Sequence, residues 1–396
     1  MTHVLVAGIS TRAAAESAAR AGFAVTAIDA FGDLDQHSSV RNLSLAHKFS
    51  ARAAALAAQT VECEAVVYLS SFENHLKAIT TLAQGRALWG NEPEIVRRVR
   101  DPLILTEVLR QRGFFAPEVR LKPDTTYVNG TAYVGSSFSR TVDKWLVKPF
   151  ASGGGQRIRP WEPGTILPRR CYLQEFISGP SGSVVFVAAG GRALPIGVSH
   201  QLVGEPAFGA QGFQYCGNIL TTAPGDDARE FSHDEALVEA AGALAQAVVE
   251  EFGLVGINGI DFIARDGVPC AIEVNPRWCA SMELVERAYG LSVFAAHASA
   301  CTTGLLPAFD LKHQPRGPGA VGKAVIYARR DATVGDTRTW LTKHENIRDI
   351  PQPGARISSG GPVCTILADA PDGPSCHEAL VESAGRVYAQ LEAWCA

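Results

Sequence analysis

The amino-acid sequence predicts a mixed α/β protein that begins with a parallel sheet and continues into antiparallel hairpins. Two apolar runs separated by an alanine-rich stretch fill residues 3–28, which is the β-α-β pattern of an open parallel sheet. Later in the chain, two apolar runs within residues 260–274 flank Asp266-Gly267, a strong signal for a tight hairpin. We therefore expect at least two kinds of sheet in one chain.

Composition excludes several classes of protein. The chain has 396 residues and a formal net charge of −4, which is not typical of proteins that bind nucleic acids or membrane surfaces. No apolar run reaches the length of a transmembrane helix, and the first residues enter a strand without a basic leader, so no signal peptide is expected. The nine cysteines show no C-x-x-C spacing, which favours reduced thiols and a cytoplasmic protein.

The predicted hairpin carries the most specific group of polar side chains. Asp261 lies in its first strand, and Glu273 and Asn275 lie two residues apart in the second, so these two face the same way. A turn at Asp266-Gly267 brings Asp261 near Glu273. Converging carboxylates are costly without a cation, and oxygen ligands of this kind suit Mg²⁺. We expect a magnesium site here, with a solvated hairpin as the alternative.

A lysine before a glycine run is a second candidate site. Lys148 closes the predicted strand of residues 145–149, and Ser152-Gly153-Gly154-Gly155 follow. Glycines let backbone N–H groups approach phosphates, and the ammonium group meets their charge. The run also suits a lid that closes over a ligand. A hairpin tip without a ligand is the alternative.

The strand predicted at residues 172–177 ends in Gln174-Glu175-Phe176-Ile177, where main-chain groups between apolar neighbours can bind an adenine. Six further residues are candidates for substrate binding. At the end of the first strand, the helix start suits anions, and the carboxylate at position 73 suits an amine. Helix caps and ordinary loop positions are the alternatives. The six residues are Ser10, Thr11, Arg12, Glu73, Gln201 and Ser281.

Together, the lysine, the glycine run, the adenine hinge and the hairpin resemble the ATP-grasp superfamily over residues 1–305, in order and in spacing. The resemblance implies that ATP binds with Mg²⁺, or Mn²⁺ as an alternative ion. It implies that Lys148 and the glycine run bind phosphates, that Asp261, Glu273 and Asn275 bind the metal, and that Arg277 and Lys148 act in catalysis. The implied partners are a small-molecule carboxylate and an amine, without nucleic acid or membrane, and a homodimer is common among similar enzymes.

Two positions depart from the family pattern. Pro102 stands where a lysine is frequent, and Arg100 is the nearest substitute. After the hinge, Ser181-Gly182-Ser183 stand where a glutamate or histidine is frequent. Because of these departures, a protein that binds ATP without turning it over is an alternative. They also place the chain nearer the predicted carboligases.

The resemblance divides the chain into four parts. They are a Rossmann-like parallel-sheet domain at residues 1–103, a small α+β lid at 104–177, a central antiparallel-sheet catalytic subdomain at 178–310 and a C-terminal α+β extension at 311–396. The implied activity is amide formation through an acyl phosphate. The alternative activity is that of a biotin-carboxylase-like, ATP-dependent carboxylase. The tail at residues 349–364 resembles ATP-grasp proteins of methanopterin- and methanofuran-type cofactor synthesis, including tyramine–glutamate ligase-like enzymes.

Overall fold

The computed structural model describes residues 1–121, 144–222, 235–313, 319–343 and 346–395. Its first sheet is parallel, as predicted, with strand order β3-β2-β1-β4-β5. The elements are β1 (His3–Ala7), α1 (Arg12–Arg20), β2 (Ala24–Asp29), β3 (Val40–Ser44), α2 (Ala51–Ala58), β4 (Ala65–Tyr68), α3 (Leu76–Leu82), β5 (Ala87–Leu88), α4 (Pro93–Val99) and α5 (Pro102–Gln111). The alanine-rich faces of α1 and α2 are buried, because small side chains let a helix lie close to the sheet.

A small antiparallel sheet follows, with strand order β6-β9-β7-β8. Its strands are β6 (Val119–Arg120), β7 (Trp145–Pro149), β8 (Arg159–Pro160) and β9 (Cys171–Glu175). Trp145, Val147 and Leu173 form its core. Strand β8 lies at the edge, where the missing N–H of Pro160 costs no ladder hydrogen bond. The predicted strand at residues 145–149 is therefore confirmed, and the one predicted at 172–177 is shifted toward its start.

The largest sheet has eight strands in the order β14-β13-β10-β11-β12-β15-β19-β17. Two very short strands, β16 and β18, pair with each other outside it. The elements from residue 181 onward are β10 (Ser181–Ala189), β11 (Arg192–Val203), β12 (Tyr215–Thr221), α6 (Glu235–Phe252), β13 (Gly256–Arg265), β14 (Val268–Asn275), α7 (Met282–Tyr289), α8 (Val293–Thr303), β15 (Ala320–Tyr327), β16 (Ala332–Thr333), α9 (Arg338–Lys343), β17 (Ile347–Arg348), β18 (Arg356–Ile357), β19 (Pro362–Ala370) and α10 (Gly373–Cys395).

One hydrophobic core joins the parallel sheet to the eight-stranded sheet. It contains apolar residues of β1 and α1 together with residues of β10, α7 and α8. Phe23 packs edge-on against Trp89 and against Phe294 of α8, with ring centroids 5.6 Å apart in both pairs. The opposite face of the eight-stranded sheet packs against α6. The hairpin strands β13 and β14 are thus supported on a rigid layer.

The C-terminal strands complete the eight-stranded sheet. Strand β15 pairs with β12, and β19 pairs with β15, so the sheet continues across the predicted boundary at residue 310. Helix α10 covers these strands. The proline-containing stretch 307–318 is predicted to be a linker, and its residues 314–318 lie outside the described residues. The extension therefore contributes to the same sheet that carries the hairpin.

Two findings concern the described part of the chain as a whole. None of its helices is both long and apolar enough to cross a bilayer. Eight cysteines in the described ranges are free thiols.

Candidate functional site

The hairpin has the register that its sequence predicts. Asp261 of β13 lies directly opposite Glu273 of β14, and Gly259 lies opposite Asn275. The turn works because Asp266 and Gly267 both adopt left-handed conformations, with φ of 51° and 74°. The two carboxylates therefore lie side by side across the ladder.

Asp261 is held by amide groups. Gln201 donates to its Oδ1 and Asn275 donates to its Oδ2, each at 2.8 Å. Burial raises the pKa of Asp261 to about 6, and the negative charge of Glu273 adds to the rise. This carboxylate is consequently the easier of the two to protonate.

Glu273 is instead paired with an arginine. Arg100, at the end of α4, forms an ion pair with its carboxylate and donates to the Val274 carbonyl at 3.3 Å. Burial alone would raise the pKa of Glu273, but the charges of Arg100 and Lys148 outweigh it and lower the pKa below its ordinary value. Glu273 therefore stays ionised at acidic pH values at which Asp261 takes up a proton.

Lys148 lies in the middle of the small sheet and is buried. Its Nζ donates to Oε1 of Gln174 at 3.0 Å, and the Gln174 amide reaches the Ile272 carbonyl of the hairpin at 3.5 Å. Gln174 thus connects the lysine to the carboxylate strand. The predicted role of Lys148 in binding phosphates stays a prediction.

The glycine run is docked on other parts of the protein. The Ser152 carbonyl accepts from Arg100 at 3.4 Å and from Asn74 at 3.3 Å, and the Gly154 carbonyl accepts from the Tyr215 N–H at 3.0 Å. Gly155 has a φ of 72°, and a Cβ there would lie 1.7 Å from the Phe213 carbonyl oxygen. Only glycine fits this contact. The run is a docked segment and not a free hairpin tip.

The predicted adenine hinge is partly occupied by the protein itself. The Glu175 N–H donates to the Glu118 carbonyl at 2.8 Å, and the Phe176 N–H donates to the Lys144 carbonyl at 2.9 Å. Within the described ranges, the Ile177 N–H makes no backbone hydrogen bond. The Phe176 ring lies edge-on to Phe213, with centroids 6.4 Å apart. Adenine binding by residues 174–177 stays a prediction that rests mainly on Ile177.

Arg277 is bound to Glu73, a residue of the parallel-sheet domain. Two nitrogens of Arg277 donate to Oε1 of Glu73 at 2.9 and 2.7 Å, and one also reaches Oδ1 of Asn275 at 3.1 Å. Burial opposes the charge of Arg277, yet Glu73 raises its pKa above the ordinary value. Oε2 of Glu73 is buried without a hydrogen-bond partner among the described residues. The structure thus brings Glu73 to the hairpin.

Other predicted substrate residues lie in a different cluster. Arg12 pairs with Glu283 at 2.6 Å, Asp349 at 2.8 Å, Glu16 at 3.1 Å and Asp35 at 3.6 Å. We call these five residues the Arg12 cluster. Its guanidinium is used by these carboxylates, so the contacts do not favour the predicted binding of a substrate anion.

The remaining predicted substrate residues have structural partners. Thr11 donates to Asp29 at 2.7 Å, and Ser10 lies half-buried before it. Gln201 accepts from Ser181 at 2.8 Å besides holding Asp261. Ser281 is buried at the start of α7, where its carbonyl accepts from the Leu284 N–H. Of these residues, Gln201 alone contacts a carboxylate of the hairpin.

The hairpin fits a metal ion that binds few protein ligands. No group of three or more His, Cys, Asp and Glu side chains within the described ranges is arranged to hold a metal ion. The available set is two adjacent carboxylates and one amide oxygen, which suits Mg²⁺ when phosphate oxygens supply the remaining ligands. The NH₂ group of Asn275 donates to Asp261, and its oxygen accepts from Arg277 at 3.1 Å, so this oxygen must leave Arg277 or turn before it faces the two carboxylates. The metal roles of Asp261, Glu273 and Asn275 stay predictions.

Several contacts of the site were not foreseen from the sequence. They are the Arg100–Glu273 ion pair, the Asn74 contact to Ser152 and the docking of the glycine run on residues 213–215. For the docking of the glycine run, the sequence holds one local signal. Glycines at positions 204, 209 and 212 indicate a tightly turned loop before Tyr215. The other contacts join residues that are distant in sequence.

Comparison with known proteins defines the class. Residues 99–281 match the family model described as an ATP-grasp domain. The chain therefore contains an ATP-grasp domain, and the superfamily predicted from the sequence is confirmed. Solved proteins with this fold include a ligase and a complex with MgADP, which agrees with the enzyme class and cofactors predicted from the sequence.

Solved structures show the same fold across nearly the whole chain. The biotin carboxylase domain of Hydrogenobacter thermophilus 2-oxoglutarate carboxylase has a TM-score of 0.69 at 16% identity, covering 96% of this chain and 88% of that one. The L-amino acid ligase of Bacillus licheniformis has a TM-score of 0.65 at 16% identity, covering 96% of both chains. The N5-carboxyaminoimidazole ribonucleotide synthetase of Thermotoga maritima has a TM-score of 0.64 at 16% identity, covering 98% of both.

A curated relative comes from Methanocaldococcus jannaschii and is an uncharacterized protein. It is 22% identical over 285 residues, which is 70% of this chain. The match spans 63% of the length of that relative.

Proposed function

We propose that the protein is an ATP-dependent carboxylate–amine ligase that forms an amide through an acyl phosphate. The observation that carries the proposal is the pairing of Asp261 with Glu273 opposite three cations. Arg100, Lys148 and Arg277 all lower the pKa of Glu273 through their charges. Two acids for a metal and three cations for phosphates form a site suited to phosphoryl transfer.

Each side chain has a defined task in this proposal. Lys148 and the N–H groups of the glycine run bind the phosphates of ATP. Asp261, Glu273 and the amide oxygen of Asn275 would hold Mg²⁺, and the ion would supply positive charge to offset that of the phosphates. Arg277 stabilises the charge of the transferred phosphoryl group. Catalysis then comes mainly from positioning, and no nucleophilic Ser or Cys is needed.

The reaction has two steps. A carboxylate oxygen of the acid substrate attacks the γ-phosphorus, and the bond to ADP breaks. The amine nitrogen then attacks the acyl carbon, and phosphate leaves. We infer that Glu73 holds the amine, since its Oε2 has no partner in the described part of the chain and its Oε1 is fixed by Arg277.

The finer assignments extend the proposal. The sequence of the tail supports substrates of the one-carbon cofactor type, with glutamate as the acid and a tyramine-like amine as a pair to test first. Free thiols support a reducing compartment such as the cytoplasm. A homodimer is proposed because the similar carboxylase domain is described as a dimer.

A second candidate is a carboxylase that activates bicarbonate. It is favoured by the likeness to a biotin carboxylase domain that was solved with MgADP and bicarbonate. Bicarbonate-dependent ADP formation without any amine would support it. Tight Mg·ATP binding without ADP formation in any mixture would instead support a nucleotide-binding protein without turnover.

The test is an ADP-release screen over acids and amines, with mass detection of the amide. Glu273→Gln should still fold, with lower stability because Arg100 loses its ion pair, and should lose ADP release because one metal-binding charge is gone. Asp266→Asn is the matched control, since it lies at the exposed turn of the same hairpin and Asn tolerates its positive φ. Turnover of Glu273→Gln at the wild-type rate would contradict the proposed metal role.

A further inference from the structure

We propose that Arg100 is an exchangeable counter-ion. In the nucleotide-free protein it occupies the place of the metal at Glu273, and its guanidinium turns to the phosphates when Mg·ATP binds. This inference rests on the proposed use of the site for Mg·ATP. It adds a nucleotide-binding residue and a reason why metal and nucleotide bind together.

The backbone of Arg100 is fixed, so only its side chain can exchange partners. Arg100 is the residue that ends α4, and α5 begins two positions later. Asp101 between them caps α5 by accepting from the N–H groups of Leu103 at 2.9 Å and Ile104 at 3.3 Å. The long side chain of Arg100 therefore extends from a rigid corner toward the hairpin.

The contacts of Arg100 depend on one strong partner. Besides the ion pair with Glu273, it donates to the Val274 carbonyl at 3.3 Å and the Ser152 carbonyl at 3.4 Å. Hydrogen bonds to carbonyl oxygens at those distances are weak, and a carbonyl carries no charge to balance the guanidinium. Once a divalent cation takes the carboxylate, the guanidinium is left buried with weak partners only. An unpaired buried charge is costly, so it must find another anion.

The candidate phosphate segment lies within reach of the same side chain. The Ser152 carbonyl that accepts from Arg100 belongs to the glycine run proposed to bind phosphates. A planar guanidinium binds phosphate oxygens through two parallel hydrogen bonds. The small change from carboxylate to phosphate therefore keeps Arg100 fully paired.

The other two cations have hydrogen-bond partners other than Glu273. Lys148 donates to Gln174, and Arg277 donates twice to Glu73. Of the three, Arg100 alone has its ion pair with Glu273. A divalent cation without nucleotide would have to displace Arg100 and remain beside Lys148 and Arg277, so the free protein should bind metal poorly.

The test compares metal and nucleotide binding in the full chain. Arg100→Gln removes the competing charge, so nucleotide-free protein should bind Mn²⁺ about tenfold more tightly, while Mg·ATP binding should weaken about tenfold. Arg100→Lys keeps a competing charge but loses the planar fork. Its Mn²⁺ affinity should stay within about twofold of the wild type, and its Mg·ATP affinity should fall about threefold.

Arg97→Gln is the matched control, because Arg97 is an exposed arginine of the same helix paired with Glu94. It should leave both affinities unchanged. Mn²⁺ binding is followed by titration calorimetry without nucleotide, and thermal melting checks folding. If Arg100→Gln does not fold, Arg100→Lys carries the test through its loss of Mg·ATP affinity.

Two results overturn the inference and are distinguishable. Wild-type protein that binds Mg·ATP, with Mg·ATP affinities unchanged in both Arg100 variants, removes the exchange and leaves the proposed function intact. Wild-type protein that binds no Mg·ATP removes both.

Discussion

The molecule contains two buried clusters in which arginine meets carboxylates, and they are built differently. In the Arg12 cluster, one guanidinium contacts four carboxylates, and Lys323 adds a second cation to Glu283 at 2.6 Å. At the hairpin, Arg100 and Arg277 each bind a different acid, and Asp261 has amides as its hydrogen-bond partners. In the first cluster several acids share one guanidinium, whereas at the hairpin the two adjacent acids, Asp261 and Glu273, have different hydrogen-bond partners.

The pKa values show what this difference does. Burial would raise the pKa of Glu283 and of Asp349, yet Arg12 and Lys323 outweigh it and lower both. At Asp261, burial has a larger effect than the hydrogen bonds and nearby cations, and the pKa rises to about 6. The Arg12 cluster thus stabilises the ionised forms of Glu283 and Asp349, although burial raises the pKa of its third buried acid, Asp35. At the hairpin, burial instead makes Asp261 easier to protonate. Three predictions test this contrast, from the largest expected effect to the smallest.

Arg12→Met should destabilise the protein strongly. Removing the cation leaves Glu283, Asp349 and Asp35 as buried acids with too little positive charge, which costs about 3–5 kcal/mol. Urea unfolding followed by tryptophan fluorescence measures the loss. Arg20→Met is the control in the same helix; its half-exposed side chain should matter by less than about 1 kcal/mol. Equal losses in the two variants would mean that the Arg12 cluster does not stabilise the fold.

Asp261 should make the stability depend on pH. Its folded pKa of about 6 lies above the ordinary value of 3.8, so the folded state holds a proton more tightly than the unfolded chain. The stabilisation is present below pH 4 and is lost as pH rises to 6, by about 3 kcal/mol in total.

Asp261→Asn isolates this effect from the other titrating groups. The difference in unfolding free energy, Asp261→Asn minus wild type, should increase between pH 4 and pH 7 and then level off. Metal-dependent ATP binding by the wild type should weaken below pH 6 for the same reason. A difference independent of pH would show that Asp261 titrates normally.

Gly155→Ala should perturb the glycine run alone. The added Cβ meets the Phe213 carbonyl and strains a positive φ, so the docked position is lost at a cost of about 1–2 kcal/mol. Because the run can move away, melting should change little while the KM for ATP rises several-fold. Gly153→Ala is the control, since its Cβ meets nothing within 4 Å. Identical KM values for both variants would contradict a role of the docked run.

The sequence predicted those parts of the site that depend on local patterns. Asp266-Gly267 predicted the turn, and the alternation of side chains then placed Asp261 opposite Glu273. Lys148 was placed on its strand because the apolar run around it is short and is followed by the glycine run. Apolar runs likewise predicted the first strands of the chain.

The rest depends on pairs that are far apart in the chain. Arg100 and Glu273 are separated by 173 residues, and Arg277 and Glu73 by 204. Periodicity and turn chemistry carry no information about such pairs, because each partner alone is an ordinary charged residue. For the same reason, Arg12 was predicted to bind a substrate anion at a helix start, whereas its partners come from α1, α7 and two distant loops.

The separation of Arg12 from Asp349 by 337 residues has a consequence for synthesis of the protein. The parallel sheet can form as soon as its own strands have left the ribosome. Arg12 of this domain lacks two of its carboxylate partners, Glu283 and Asp349, until most of the chain has been translated. The nascent first domain should therefore be less stable than the same residues in the finished chain, and it gains its final stability only when the C-terminal strands have formed.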